Sequence, residues 1–190
     1  MGPKYFNGFS WDRITREERL FCAELFFHIR KDPQDFVALL QRKAHLPSVP
    51  VGQWDTSYEV CFYRDFIRRF PPKDEHRYSL KRTFDIAMFG ESTIIIIEAK
   101  AAEMFSSKQA ESFGRDLEHI VRLLKSKVDI YFVALASTRY FDNFEKHGRS
   151  SALKAFDSRH LTWEAVEGHY PDVPLFKRAC EVYKSAAVTK

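Results

Sequence analysis

The sequence predicts an α/β fold, a mixed central β-sheet of four to five strands flanked by helices with an N-terminal helical pair, and three observations carry that prediction. Residues 94–97 are consecutive isoleucines, an aliphatic strand apolar on both faces that belongs in mid-sheet under cover from both sides. A helix-spaced apolar stripe, Phe113, Leu117, Ile120, Val121 and Leu124, precedes a second buried run at 129–136, DIYFVALA, the strand–helix–strand order of a parallel crossover. The N-terminal third carries amphipathic helical patterns of its own.

Taken in order, Leu20, Phe21, Leu25 and Phe27 or His28 recur at helical spacing from Thr15 to Arg30, behind the capping-box form Thr15-Arg16-Glu17-Glu18. Asp32-Pro33 supplies an N-cap and a first-turn proline for a second helix that turns Phe36, Leu39 and Leu40 inward. After the breaker 45–53, Thr56-Ser57-Tyr58-Glu59 again has capping-box form and predicts a helix with Val60, Tyr63, Phe66, Ile67 and Phe70 on one side, ended by Pro71-Pro72. A short strand between His76 and Arg82 follows, then strands over 83–89 and 92–100 joined at Gly90-Glu91. Ser106-Ser107-Lys108-Gln109 caps the crossover helix. Residues 140–147 read as a helix, 159–163 as a short strand and 174–187 as a closing helix. A chain of 190 residues, 45% hydrophobic, suits one domain over 1–190, divided into an N-terminal helical extension (1–50), a core (56–136) and a C-terminal strand and helices (137–190).

Composition narrows the function classes. The formal charge of +4 suits a polyanionic partner, though acidic residues nearly balance basic ones. Cys22, Cys61 and Cys180 lie far apart without a CxxC pair, which argues against a disulfide framework or a zinc knuckle and for a reducing cytoplasm. The N-terminus MGPKYFNGFSWD has no signal-peptide core, and Phe6 stands where myristoylation needs Ser or Thr. The aliphatic run 94–97 is far short of the roughly 20 residues that span a bilayer, so a soluble protein is expected. The seven histidines show neither HxH nor HExxH spacing, and Gly-x-Ser-x-Gly, P-loop and dinucleotide fingerprints are absent.

The chemistry concentrates in the central hairpin. Glu98 and Lys100 close the isoleucine strand and share a face by alternation, and ending a buried strand on two charges requires partners or a metal. A type II′ turn at Gly90-Glu91 pairs Phe89 with Ser92 and Asp85 with Ile96. Asp85 then points to the face of Glu98 as its diagonal neighbour, about 7–8 Å away, near enough for both carboxylates to converge on one cation in a solvent-accessible cleft. Magnesium prefers such oxygen ligands, and Lys100 would orient the attacking water and neutralise charge on the phosphorane.

The segment FDIAMFGESTIIIIEAK resembles the signature of the PD-(D/E)XK nuclease superfamily, an Asp opening one strand and (D/E)xK closing the next, with Phe84 in place of the proline. The resemblance extends over roughly 56–136. It implies a restriction-endonuclease-like core and Mg²⁺-dependent hydrolysis of DNA phosphodiesters, with Mn²⁺ as substitute. It further implies a metal-assisting glutamate on the helix before the hairpin, best matched by Glu59 with Glu24 and Glu18 behind it, and a glutamine after the lysine, matched by Gln109. The site set is therefore Asp85, Glu98, Lys100, Glu59 and Gln109, with Asp85, Glu98 and Glu59 on the metal. Glu59 and Gln109 read equally well as helix-capping residues.

Arg64, Arg68, Arg69, Lys73, Arg77, Lys81 and Arg82 form a basic stretch; Arg68, Arg69, Lys81 and Arg82 are its candidate DNA-phosphate contacts, against the alternative of solvated faces. Asp65 and Asp116 are read as solvated or paired with Arg64 or Arg115, with the alternative that either supports the site from behind its direct ligands, and the aromatics of YEVCFYRDFIRRF as core. The expectation is an endodeoxyribonuclease, with a homodimer compatible with double-strand cutting. The alternatives are a catalytically silent nucleic-acid-binding or structural module on the same fold, and a nuclease acting on RNA.

Overall fold

The computed structural model describes residues 4–10, 15, 17–102, 105, 107–125, 127–146 and 150–186. Its elements run α1 (Glu17–Lys31), α2 (Pro33–Lys43), β1 (Asp55–Val60), α3 (Phe62–Arg69), β2 (Phe84–Phe89), β3 (Thr93–Ala99), α4 (Ser107–Leu124), β4 (Asp129–Ala136), α5 (Thr138–Lys146), β5 (His160–Thr162), α6 (Trp163–His169) and α7 (Pro174–Ala186), with 3₁₀ turns at Lys4–Phe6, Glu75–Arg77 and Ser150–Phe156. The five strands form one mixed sheet in the order β1-β2-β3-β4-β5. The first three are antiparallel neighbours, and β3, β4 and β5 are parallel.

Every residue of β3 is buried, as expected for a strand covered on both faces. Ile95 and Ile97 face one layer with Phe21, Cys22 and Leu25 of α1, Phe36 and Leu40 of α2, Trp163 of α6 and Phe176 of α7. Ile94 and Ile96 face the other with Tyr63 and Ile67 of α3, Phe113 and Ile120 of α4, and Phe156. Burying each isoleucine contributes about 1.5–3 kcal/mol over leaving it exposed, so the strand that carries Glu98 is firmly held in the sheet. The Asp32 side chain accepts from the Asp35 amide and caps α2 as its sequence requires. Cys22, Cys61 and Cys180 form no disulfide, and all three are buried. Among the described residues no helix is long and apolar enough to cross a membrane.

Several expectations are corrected. Thr56-Ser57-Tyr58-Glu59 does not open a helix; it lies in β1 and pairs with β2, and α3 begins only at Phe62. The hydrogen-bonding capacity of β2 decides this: its outer edge would be unpaired without β1, and that tertiary pairing outweighs a local capping pattern. Residues 76–82 form a 3₁₀ turn and loop, not a strand. Phe27 is exposed, and the buried stripe of α1 runs Phe21, Cys22, Leu25, Ile29. The 3₁₀ turn at Ser150–Phe156 and α6 were not anticipated. Ser106, His147 and Ala187, expected at helix ends, lie outside the described residues.

The β2–β3 hairpin turns one residue later on each side than a Gly90-Glu91 loop would make it. The Gly90 amide donates to the Thr93 carbonyl at 2.8 Å, leaving Glu91-Ser92 as the loop, and the register is Phe89↔Ile94 through Ile86↔Ile97. A shift of two preserves side-chain parity, so the apolar pattern cannot distinguish the two registers.

Candidate functional site: a carboxylate cluster at the end of the sheet

The observed register places Asp85 directly across from Glu98, one step beyond the last pair, Ile86↔Ile97. At that point the β2–β3 ladder stops while β3 stays paired with β4 through Glu98↔Ala134 and Ala99↔Leu135. The Ala99 amide, which a continuing ladder would bond to β2 backbone, donates instead to Asp85 Oδ2 at 2.8 Å. Phe84 and Ile86, which share a face in a regular strand, pack in opposite layers, and Glu59 opposite this point has φ +49°. The sheet thus opens at Asp85, and its carboxylate caps the opening.

Charged side chains from both helical layers converge there. Arg82 Nη2 donates to Glu98 Oε1 at 3.0 Å and its Nε to Asp116 Oδ2 of α4 at 2.9 Å. The guanidinium lies 4.8 Å from the ring centroids of both Phe84 and Phe113. Tyr63 donates its hydroxyl to Asp116 Oδ1 at 2.6 Å. On the α1 side, Lys100 Nζ donates to Glu18 Oε1 at 3.3 Å, and the Ala101 amide donates to Glu18 Oε2 at 3.3 Å. Trp163 Nε1 holds the Lys100 carbonyl at 3.1 Å.

Burial pushes the Glu98 carboxyl well above the ordinary carboxylate range, and the charge of the neighbouring Asp85 adds to the effect against the pull of Arg82 and Lys100. Glu18 is likewise raised by burial, with Lys100 opposing. Four carboxylates (Glu18, Asp85, Glu98, Asp116) face two cations (Arg82, Lys100), a formal charge of −2.

The structure therefore brings Asp85, Glu98 and Lys100 together, with two differences from the expected arrangement. Glu98 and Lys100 are only 4% and 6% exposed, ion-paired rather than projecting into an open cleft; Asp85 is half-buried. They also take separate partners: Glu98 pairs with Arg82, whereas Lys100 pairs with Glu18 of α1. Glu59 lies on a strand instead of a helix, and its carboxylate pairs with Arg19 at 2.6 Å and is 39% exposed. Of the three candidate helix glutamates it is Glu18, one of the two weaker by sequence, that reaches the cluster, from α1. Gln109 is half-buried in the first turn of α4, as expected.

Of the candidate DNA-phosphate contacts, Arg68, Arg69 and Lys81 are exposed, whereas Arg82 is committed to Glu98 and Asp116. Asp65 pairs with Arg64 at 2.9 Å as read from sequence, but Asp116 is 5% exposed and belongs to the cluster. Glu18 and Asp116 share a signal visible in the sequence. Each is an acid within an apolar helical stripe, Glu18 three and four residues before Phe21 and Cys22, Asp116 between Phe113 and Ile120. No group of three or more His, Cys, Asp or Glu among the described residues is pre-arranged around a metal position. Compared with protein-family models, with curated proteins and with solved structures, the chain matches none.

Proposed function

We propose that the cluster is a divalent-cation phosphodiesterase site of the PD-(D/E)XK type, acting on DNA. The observation that carries the reading is the apposition of Asp85 and Glu98 where β2 and β3 part: two carboxyl groups directly across the hairpin from each other, one of them buried, in a cluster where four acids face two cations. Burying like charges side by side is costly, and a divalent cation in place of the proton offsets both the repulsion and the formal charge. The donor set is all oxygen, which suits Mg²⁺ or Mn²⁺. Asp85 and Glu98 would hold the ion, with Glu18 in the supporting position that the resemblance gives to a helix glutamate. Once bound, such a cation supplies a water of lowered pKa and counter-charge for the phosphate. Lys100, beside Glu98, neutralises charge developing on the phosphoryl oxygens and orients the nucleophile. Trp163 fixes the backbone from which Lys100 projects.

One observation favours a second reading, a silent member in which the same residues serve only structure: Arg82 already gives Glu98 a cationic partner. Calorimetry with Mn²⁺ and a cleavage assay on DNA and RNA separate the two. Asp85→Ala should lose metal binding and cleavage while still folding. Lys100→Ala should keep metal binding and lose cleavage by about 10²–10³ in rate, the usual worth of one donor at a developing charge. A wild-type protein that binds neither ion and cuts neither nucleic acid overturns the catalytic reading.

A further inference from the structure

A cavity of about 720 Å³ lies where the C-terminal ends of α3 and α4 meet, away from the carboxylate cluster. Its volume falls within the roughly 300–1,000 Å³ of small-ligand sites, room for a nucleotide. Four cations line it, Arg69 and Lys73 from the end of α3 and the loop beyond, Arg122 and Lys125 from the end of α4. Arg69, Arg122, Lys73 and Lys125 are exposed, and none is ion-paired with a described residue. The one acid in the lining, Asp74, is paired with Arg77 at 3.6 Å.

Between the cations stand aromatic rings. Phe70 is 60% exposed, although helical spacing predicts it to be core, and its ring centroid lies 5.2 Å from that of Phe66. Pro71 and Pro72 follow directly and, with φ fixed by their rings, hold this rim. An exposed aromatic ring among exposed cations is the combination by which proteins take single-stranded nucleic acid: the ring stacks on a base and the cations neutralise the phosphates either side. A duplex hides its base faces in its own stack, and an acidic peptide would use the cations but not the ring. Arg122 stands six residues beyond Asp116 on α4, about 9 Å along the helix axis at 1.5 Å per residue.

We propose that this cavity binds one nucleotide of single-stranded nucleic acid, with Phe70 stacking on the base and Arg69, Lys73, Arg122 and Lys125 holding the flanking phosphates. As a statement about substrate form it rests on the phosphodiesterase reading; as a statement about binding it stands without it. Fluorescence anisotropy in EDTA, where no metal-dependent cleavage occurs, tests it with labelled oligothymidylate, the same length of duplex, and an abasic strand carrying the same phosphates. The thymidylate strand should bind tightest. Phe70→Ala should weaken it about 10-fold and leave the abasic strand unaffected. The double variant Arg122→Ala with Lys125→Ala should flatten the dependence of log affinity on log salt by about 1.4, roughly 0.7 per lost phosphate contact on a single strand. Lys31→Ala, on α1 in the other layer, should change nothing. Because Phe70 and the two cations are exposed, the variants should keep the wild-type melting temperature. Equal binding of thymidylate and abasic strands, no loss with Phe70→Ala, or no binding to any of the three overturns the proposal, and none of these bears on metal binding at Asp85 and Glu98. Binding without any cleavage in Mg²⁺ supports this inference while overturning the catalytic one.

Discussion

Removal of the Arg82 side chain probes the cluster most directly, because one guanidinium serves two buried acids. The side chains of Glu98 and Asp116 are 6% and 7% exposed, and that of Arg82 20%. Breaking a buried ion pair from one side typically costs about 3–5 kcal/mol, most of it the penalty of the charge left behind. Arg82→Ala strands two carboxylates, but the cost does not double: Asp116 keeps the Tyr63 hydroxyl, and Glu98 keeps the nearby charge of Lys100. The lost packing against Phe84 and Phe113 falls within the same range. At about 2–4 °C per kcal/mol for a domain of this size, the melting temperature should fall by about 6–20 °C in EDTA. Arg82→Lys, which keeps the charge but cannot fork to both acids, should fall between. Thermal unfolding with and without Mn²⁺ then shows whether Arg82 and a metal compete for Glu98: the ion should raise the melting temperature more in Arg82→Ala than in wild type. A loss below about 1 kcal/mol would refute the network as what secures this end of the sheet, and an equal response to Mn²⁺ in both proteins would refute the competition.

Two further outcomes follow from the same geometry. Glu98 and Glu18 have carboxyl groups raised above their ordinary value of 4.5, so without metal the folded state holds more protons than the unfolded one just above that pH. Their stabilising contribution is therefore complete below about 4.5 and is lost as pH rises through the raised values. A divalent cation must displace those protons, so the Mn²⁺-induced rise in melting temperature should grow from mildly acidic to mildly alkaline pH; a flat or falling profile contradicts the site. Glu18→Gln should weaken Mn²⁺ binding measured by calorimetry, whereas Glu59→Gln should leave it unchanged and cost less than about 1 kcal/mol, as its pair with Arg19 is exposed. The reverse result would return the helix-glutamate role to Glu59.

The sequence by itself determined the middle of this protein. Four isoleucines in a row can be satisfied only by cover on both faces, so β3 was legible, and with it the helix and buried strand that supply part of that cover. Parity was legible too: either two-residue loop, Gly90-Glu91 or Glu91-Ser92, puts Asp85 across from or diagonal to Glu98. What alternation cannot express is a slip of two, and the choice of Glu91-Ser92 as the loop, which turns a diagonal pair into a direct one, was decided by the Gly90–Thr93 hydrogen bond in the folded hairpin. Glu59 could not be placed because Thr56–Glu59 satisfies a capping pattern locally, while the unpaired edge of β2 exists only once the sheet forms. The partners of Glu98 and Lys100 lay furthest from view. Arg82 is 16 residues from Glu98 and Glu18 is 82 from Lys100, and charge pairing carries no periodicity along the chain. Only the packing of α1 and α4 on opposite faces of one sheet, with Glu18 and Asp116 in their apolar stripes, brings these acids to the point where β2 and β3 part.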